Sequence, residues 1–197
     1  EEATDEALAS RAALGDNHAF DEITIRYQAR VYRLACRLVG HADAPDVVQE
    51  ALLSVYRNLA SFRQESRFGT WLYRIVTNAA LMHRRACARR PVESLDAFLP
   101  DFDATGRHCH TPAELQVAAR ADELLDRRVL AEAAMAALDR LPDLYRSAFV
   151  LRDLEELTTA EVADVLGVEP ATVRQRVHRA RLMLRGYLGA LVAGVRP

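Results

Sequence analysis

The sequence predicts an all-α chain of two small helical domains joined by a flexible linker. Three observations carry that prediction. Apolar residues recur at steps of three and four along nearly the whole chain, the period of one helix face, and strand-like alternation is absent. Glycine and proline fall between the periodic segments rather than inside them. Residues 91–110, PVESLDAFLPDFDATGRHCH, lose the period and hold two prolines. So long an irregular run is unusual within one compact domain and reads as a linker. The expected division is residues 1–90, a linker at 91–111, and residues 112–197.

Residues 4–14 form a short helix that ends at Gly15. From Asn17, the positions Phe20, Ile23, Tyr27, Val31, Leu34 and Leu38 mark one face of a long amphipathic helix, stopped by Gly40. The next helix begins near Asp43, with Pro45 in its first turn, and runs to Leu59. Its expected buried stripe is Val48, Leu52, Val55 and Leu59. A further helix spans Phe68 to Arg89, with Leu72, Ile75, Val76 and Ala79 inward. Helices of this length enclose one core. After the linker, TPAE (111–114) restarts helix: Thr111 caps, Pro112 suits the first position, and Glu114 completes a capping box. That helix breaks at Pro142, and another spans Asp143 to Leu154.

LTTAEVADVLGVEPATVRQRVHRARLMLR (157–185) carries the most specific pattern in the chain. Thr158 and Glu161 form a second capping box, and Val162, Ala163, Val165 and Leu166 are the inward residues of a short helix. Gly167 is placed for a left-handed turn, and Pro170 opens the following helix. In that helix Val173, Val177 and Leu184 face inward, and Arg174, Gln175, His178, Arg179 and Arg181 face elsewhere. Short helix, glycine turn and Arg-rich helix make a helix-turn-helix, whose second helix enters the DNA major groove. Thr172, Arg174, Gln175 and Arg176 are placed to contact bases, with His178, Arg179 and Arg181 on the same exposed surface. Arg179 and Arg181 suit phosphates. A helical hairpin with a solvated arginine face is the plain alternative.

Composition narrows the function classes. The net charge of -2 hides segregation. Residues 57–90 carry eight Arg and one Glu, residues 170–186 five Arg and no acid, and residues 91–111 four acids and one Arg. All 26 basic residues are Arg, whose planar fork suits phosphates, guanine edges and stacking. Cys36, Cys87 and Cys109 are an odd, sparse set that fits a reducing cytosol better than a disulfide framework. No run of about 18 apolar residues exists to span a bilayer, and no signal segment is evident. A cytoplasmic chain without membrane insertion is expected. It starts at Glu1, so its natural start is expected upstream.

FRQESRFGTWLYRI (62–75) sets the chain's one tryptophan among two phenylalanines, a tyrosine and three arginines. Aromatic planes beside arginines stack unpaired bases and track their backbone. The basic and polar face of that helix includes Thr70, Arg74, Asn78, Arg84 and Arg85, with Trp71 at its entrance. Arg63, Gln64, Ser66 and Arg67 precede it and could line a pocket for a flipped-out base. Alternatively, Phe68 and Trp71 are core residues and the arginines a solvated face; composition leaves both open. His108, Cys109 and His110 are adjacent ligand types without an obvious fourth partner, and His83 and Cys87 lie four apart on one helix. No metal site and no cofactor are expected.

Taken together, these segments resemble a bacterial RNA polymerase sigma factor of the extracytoplasmic-function (ECF) group, over residues 15–190. GDNHAFDEITIRYQARVYRLACRLVGHADAPDVVQEALLSVYRNLASFR resembles the first half of sigma domain 2, and TWLYRIVTNAALMHRR its promoter -10 segment. LDRLPDLYRSAFVLRDLEELTTAEVADVLGVEPATVRQRVHRARLMLR resembles domain 4. The resemblance implies that the helix carrying DVVQEALLSVYRNL docks on the clamp helices of the polymerase β′ subunit. Asp46, Gln49 and Glu50 would then meet basic clamp residues, with Leu53 and Arg57 flanking them. It also implies that loop 62–69 captures a flipped -10 base and that Trp71 sits at the fork between duplex and melted DNA. Domain 4 would read the -35 element and touch the β flap, and the linker would thread the polymerase channels. An anti-sigma partner and a non-enzymatic role follow from the same likeness. One departure is Glu169-Pro170 where many relatives carry a Ser cap. The rival readings are a free-standing helix-turn-helix repressor or activator, which leaves residues 62–90 idle, and a nucleic-acid enzyme or metal sensor, which lacks converging carboxylates or a ligand set.

Overall fold

The computed structural model describes residues 3–62, 66–87 and 127–194, all helices and connections with no strand among them. Two compact units emerge: Glu1–Ala88 with Val150–Arg174, and Arg89–Phe149 with Gln175–Pro197. Residues from the second half of the chain thus enter both units.

In the first unit, α1 (Asp5–Ala13) starts where the Thr4 hydroxyl accepts from the Ala7 amide. α2 (Asn17–Val39) starts where Asp16 accepts from Ala19. That amide first, and Arg11 second, hold the Asp16 carboxyl below the usual carboxylate range. Ile23, Tyr27, Val31, Leu34 and Leu38 of α2 are buried, as the periodicity required, while Phe20, the first position of that stripe, is half-buried. Arg26 of α2 ties that helix to α1 through Asp5 at 3.0 Å and pairs with Glu22 of its own helix at 2.6 Å.

α3 (Ala44–Asn58) has Pro45 in its first turn. Its buried face is Ala44, Val47, Ala51 and Val55; of the expected stripe Val55 and Leu59 are buried, whereas Val48 and Leu52 are half-buried and their neighbours Val47 and Ala51 take the inward positions. A 3₁₀ turn (Leu59–Ser61) follows, and then α4 (Phe68–Cys87). Leu72, Val76 and Ala79 of α4 are buried, but Ile75 is half-exposed. A Cβ at Gly69 would come within 3.1 Å of the Tyr27 hydroxyl, so the missing side chain lets the Tyr27 ring lie over the start of α4. Tyr27 donates to Asp5 at 2.6 Å; burial, and then that carboxylate, push its phenol well up.

The same unit takes in the junction before the helix-turn-helix. α7 (Thr159–Leu166) packs against α4. Just before it, Arg37 of α2 donates to the Leu154 carbonyl at 3.1 Å and to Glu155 at 2.5 Å.

The second unit holds α5 (Arg127–Arg140), α6 (Asp143–Phe149) and most of α8 (Pro170–Gly194). The backbone of α6 continues as a π-helical turn over Val150–Leu154, so the helical run reaches Leu154 as expected. Leu138, Leu141, Tyr145, Val177, Met183, Leu184 and Tyr187 are buried. Arg146 is buried among them with its guanidinium 2.9 Å from Asp139, whose exposed carboxylate keeps the charge from being stranded. Arg140 covers the Tyr187 ring at 4.1 Å.

Candidate nucleic-acid interface

The aromatic-arginine stretch resolves into two layers. Phe68 is 1% exposed and its ring meets Tyr27, Phe62 and Trp71 at 5.5, 5.6 and 5.8 Å. It is therefore a core residue, the plain alternative for that position. Trp71 is half-exposed and rests on Phe62 at 5.3 Å. Successive turns of α4 then present Arg74, Asn78 and Arg85 to solvent. An aromatic edge followed by three open polar side chains is a surface on which bases can stack and phosphates can pair.

Other residues expected on this surface are placed differently. Thr70 is only 8% exposed, which corrects the expectation that it belongs to the open face. It sits on the stripe of α4 that also buries Tyr73 and Thr77, about 100° from Trp71 on the wheel. Arg84 is half-buried and donates to the Leu38 carbonyl at 3.4 Å, helping to close the end of α2. Ser66 is half-buried and Arg67 exposed just before α4. Arg63 and Gln64 lie outside the described residues.

The helix-turn-helix forms as the sequence required. Thr158 accepts from the Glu161 amide at 3.2 Å, and Glu161 accepts from the Thr158 amide at 2.8 Å, a complete capping box. Hydrogen bonds from the Thr158 side chain and backbone, followed by the charge of Arg67, keep the Glu161 carboxyl below its usual range. Gly167 takes φ 62° and ψ 42°, the left-handed turn that the spacing demanded. Val162, Ala163 and Val165 are buried, whereas Leu166 is half-exposed. On α8, Arg174, Gln175, His178, Arg179 and Arg181 are exposed, and Thr172 and Arg176 half-buried. Arg179 also donates to the Tyr145 hydroxyl at 3.3 Å, which orients its guanidinium.

A third open surface lies on α3. Asp46, Gln49, Glu50, Leu53 and Arg57 are all exposed at helical spacing on one face. Leu53 is 49% exposed, and Tyr56 beside it 60% exposed with its ring edge on Phe20 at 5.2 Å. Tyr56 was not singled out from sequence; an aromatic at i+3 from an exposed leucine was the available signal. Two large apolar side chains thus stand open to water beside the acids of this face.

Among the described residues, no group of three or more His, Cys, Asp and Glu side chains is arranged to hold a metal ion. His83 Nε2 lies 3.6 Å from the Cys87 thiol and 3.3 Å from Asp43. His108, Cys109 and His110 lie outside the described residues, as does the linker. No described helix is long and apolar enough to cross a membrane.

Comparison with known proteins bears on the family of the chain. The family model for Sigma-70 region 2 matches residues 23–90, and that for Sigma-70, region 4 matches residues 131–184. The ECF RNA polymerase sigma-E factor of Escherichia coli (strain K12) is 37% identical over 182 residues, 92% of each chain. Its namesake from Haemophilus influenzae is 35% identical over 98% of this chain and 99% of its own. Among solved structures, CnrH, in complex with the cytosolic domain of CnrY, aligns with a TM-score of 0.67 at 25% identity, covering 94% of this chain and 97% of its own. The sigma factor RpoE of Bartonella quintana, in complex with the anti-sigma factor NepR, shares the fold with a TM-score of 0.61 at 22% identity, over 86% of this chain and 96% of its own. Identity of this level across nearly the full length, with both regions in order, means that the chain belongs to the ECF group of bacterial RNA polymerase sigma factors.

Proposed function

We propose that this sigma factor joins core RNA polymerase through α3, reads a -10 element with α4 and the preceding loop, and reads a -35 element with α8. The observation that carries this reading is the outer face of α4, where a half-exposed Trp71 is followed by Arg74, Asn78 and Arg85 open to solvent. A free-standing repressor would have no use for it. On α3, Asp46, Gln49 and Glu50 supply negative charge for the clamp helices of the β′ subunit, and Leu53 and Arg57 complete the contact. Around α4, Arg63, Gln64, Ser66 and Arg67 form the pocket for a flipped base, and Trp71 stacks at the upstream edge of the melted strand. Thr70 supports that edge from within and Arg84 from the α2 side, while Arg74, Asn78 and Arg85 follow the backbone. On α8, Thr172, Arg174, Gln175 and Arg176 face bases, and His178, Arg179 and Arg181 face the flanking backbone. Domain 4 also touches the β flap.

Opening a duplex costs stacking and pairing, and capture of unpaired bases on α4 offsets that cost in a sequence-dependent way. The chain supplies binding energy rather than chemistry, so it acts without being an enzyme, in the cytoplasm where the polymerase works. Residues 1–90 and 112–197 act as separate domains on the two promoter elements, and residues 91–111 span the polymerase between them. Control by an anti-sigma factor fits the same reading, since the relative CnrH is held by the cytosolic domain of CnrY.

The test is run-off transcription with the purified chain, core polymerase and sheared genomic DNA, with transcript ends sequenced. Discrete starts that share two upstream motifs are expected. No starts, together with no binding to core polymerase, would overturn the proposal.

A further inference from the structure

Arg179 lies on the exposed face of α8, yet one of its terminal nitrogens is held by another helix. Its Nη1 donates to the Tyr145 hydroxyl of α6 at 3.3 Å. The two residues are 34 positions apart, so the contact is tertiary and no helix period predicts it. The partners differ sharply in freedom. Tyr145 is 4% exposed, and Ala148 on the next turn of α6 is fully buried, so the phenol is a fixed point. Arg179 is exposed, with a long stem that turns freely unless something holds its end.

A plain account reverses the roles: a buried tyrosine needs a partner for its hydroxyl, and Arg179 is merely the donor at hand. Packing alone does not need that hydroxyl, because phenylalanine fills the same space with no polar atom to satisfy. The contact does more for the arginine. A guanidinium is a planar fork, and with Nη1 committed to Tyr145 the Nε–Nη2 edge is the one left to take a ligand. Two parallel N–H donors on that edge match the oxygens of a phosphate. Ordering a long side chain is part of what binding costs, and an anchor meets that cost before DNA arrives.

We propose that Tyr145 is a positioning residue for promoter recognition: its hydroxyl holds the Arg179 guanidinium so that the Nε–Nη2 edge clamps a phosphate beside the -35 element. Tyr145 touches no DNA itself and acts through Arg179. This inference rests on the -35 reading of α8 and extends it to α6, which precedes the helix-turn-helix.

The test uses holoenzyme assembled from core polymerase and four forms of the full chain: wild type, Tyr145→Phe, Arg179→Ala and the double variant. Anisotropy reads binding to a duplex that carries the -35 element mapped by run-off transcription. Tyr145→Phe keeps the buried ring, and its affinity for core polymerase checks that it is folded. It is expected to bind the duplex about two- to ten-fold more weakly, the cost of ordering one long side chain during binding. Arg179→Ala should bind more weakly still, with a salt slope smaller by about one. The double variant should bind no more weakly than Arg179→Ala, because an anchor without its arginine has nothing to hold. When each phosphate near the element is replaced in turn by a neutral methylphosphonate, one position should make wild type and Tyr145→Phe bind equally. Wild-type binding by Tyr145→Phe beside a weak Arg179→Ala would overturn the positioning role and leave the -35 reading standing. An equal loss from Tyr145→Phe with and without Arg179 would show an effect through the fold and overturn it as well. Wild-type affinity and slope in Arg179→Ala would remove Arg179 from the -35 reading, and the positioning role would fall with it.

Discussion

Exchanging the roles of two neighbouring aromatics offers a direct test of the α4 surface. Phe68 and Trp71 are three residues apart, yet the structure makes one a core anchor and the other a half-open platform. Phe68→Ala removes a ring that is 1% exposed and in edge contact with Tyr27 and Phe62. Truncations of this kind cost about 3–5 kcal/mol. Trp71→Ala removes a ring of which roughly 100 Å² is covered, about 2.5 kcal/mol at 25 cal/mol per Å². With a urea slope of roughly 2 kcal/mol per M, the midpoints should fall by about 2 M and 1 M. Circular dichroism is the appropriate probe, since Trp71 is the chain's one tryptophan. Function should order the other way. A stacked base is worth about 1–3 kcal/mol, so Trp71→Ala should cut open-complex formation roughly five- to 150-fold. Phe68→Ala, assayed per folded molecule, should stay within about three-fold of wild type, below what a lost base stack costs. If Phe68→Ala proves as stable as Trp71→Ala, or Trp71→Ala opens promoters normally, the division into core and platform is wrong.

Three further predictions follow from particular geometries. Gly167→Ala should cost about 1–2 kcal/mol in urea unfolding, because a Cβ there meets nothing within 4 Å and the left-handed backbone alone is penalised; an asparagine should cost less, and equal costs would point to a steric cause instead. Thr158→Ala should destabilise the chain by about 1 kcal/mol through loss of the cap. It should also raise the Glu161 titration point towards the ordinary range, read by NMR. Because folding lowers that pKa, Glu161 stabilises the fold above its unfolded value, and the contribution vanishes as pH falls through the folded value. The variant should therefore show a shallower acid limb, and an unmoved Glu161 titration would discredit the capping-box account. On α3, Glu50→Arg should weaken core-polymerase binding at least about ten-fold by placing like charges against the clamp, with unfolding unchanged; a native affinity would remove α3 from the contact.

What the sequence determined by itself is everything that depends on near neighbours along the chain. Helix period, the Thr158–Glu161 capping box, the left-handed Gly167 and the helical run from Asp143 to Leu154 all arise from contacts within a few residues, so local chemistry encodes them. Family resemblance supplied the roles proposed for the three surfaces. Tertiary structure decided which side of each helix is inside when two phases are nearly equal. On α3 Val47 and Ala51, rather than Val48 and Leu52, face inward, because the rotation of a helix is set by the neighbours it packs against and not by its own period. It separated Phe68 from Trp71, which composition could not do, and it drew Thr70 inside. It alone joined Arg37 to Glu155, 118 positions apart, since an ion pair between distant segments leaves no periodic trace in either of them.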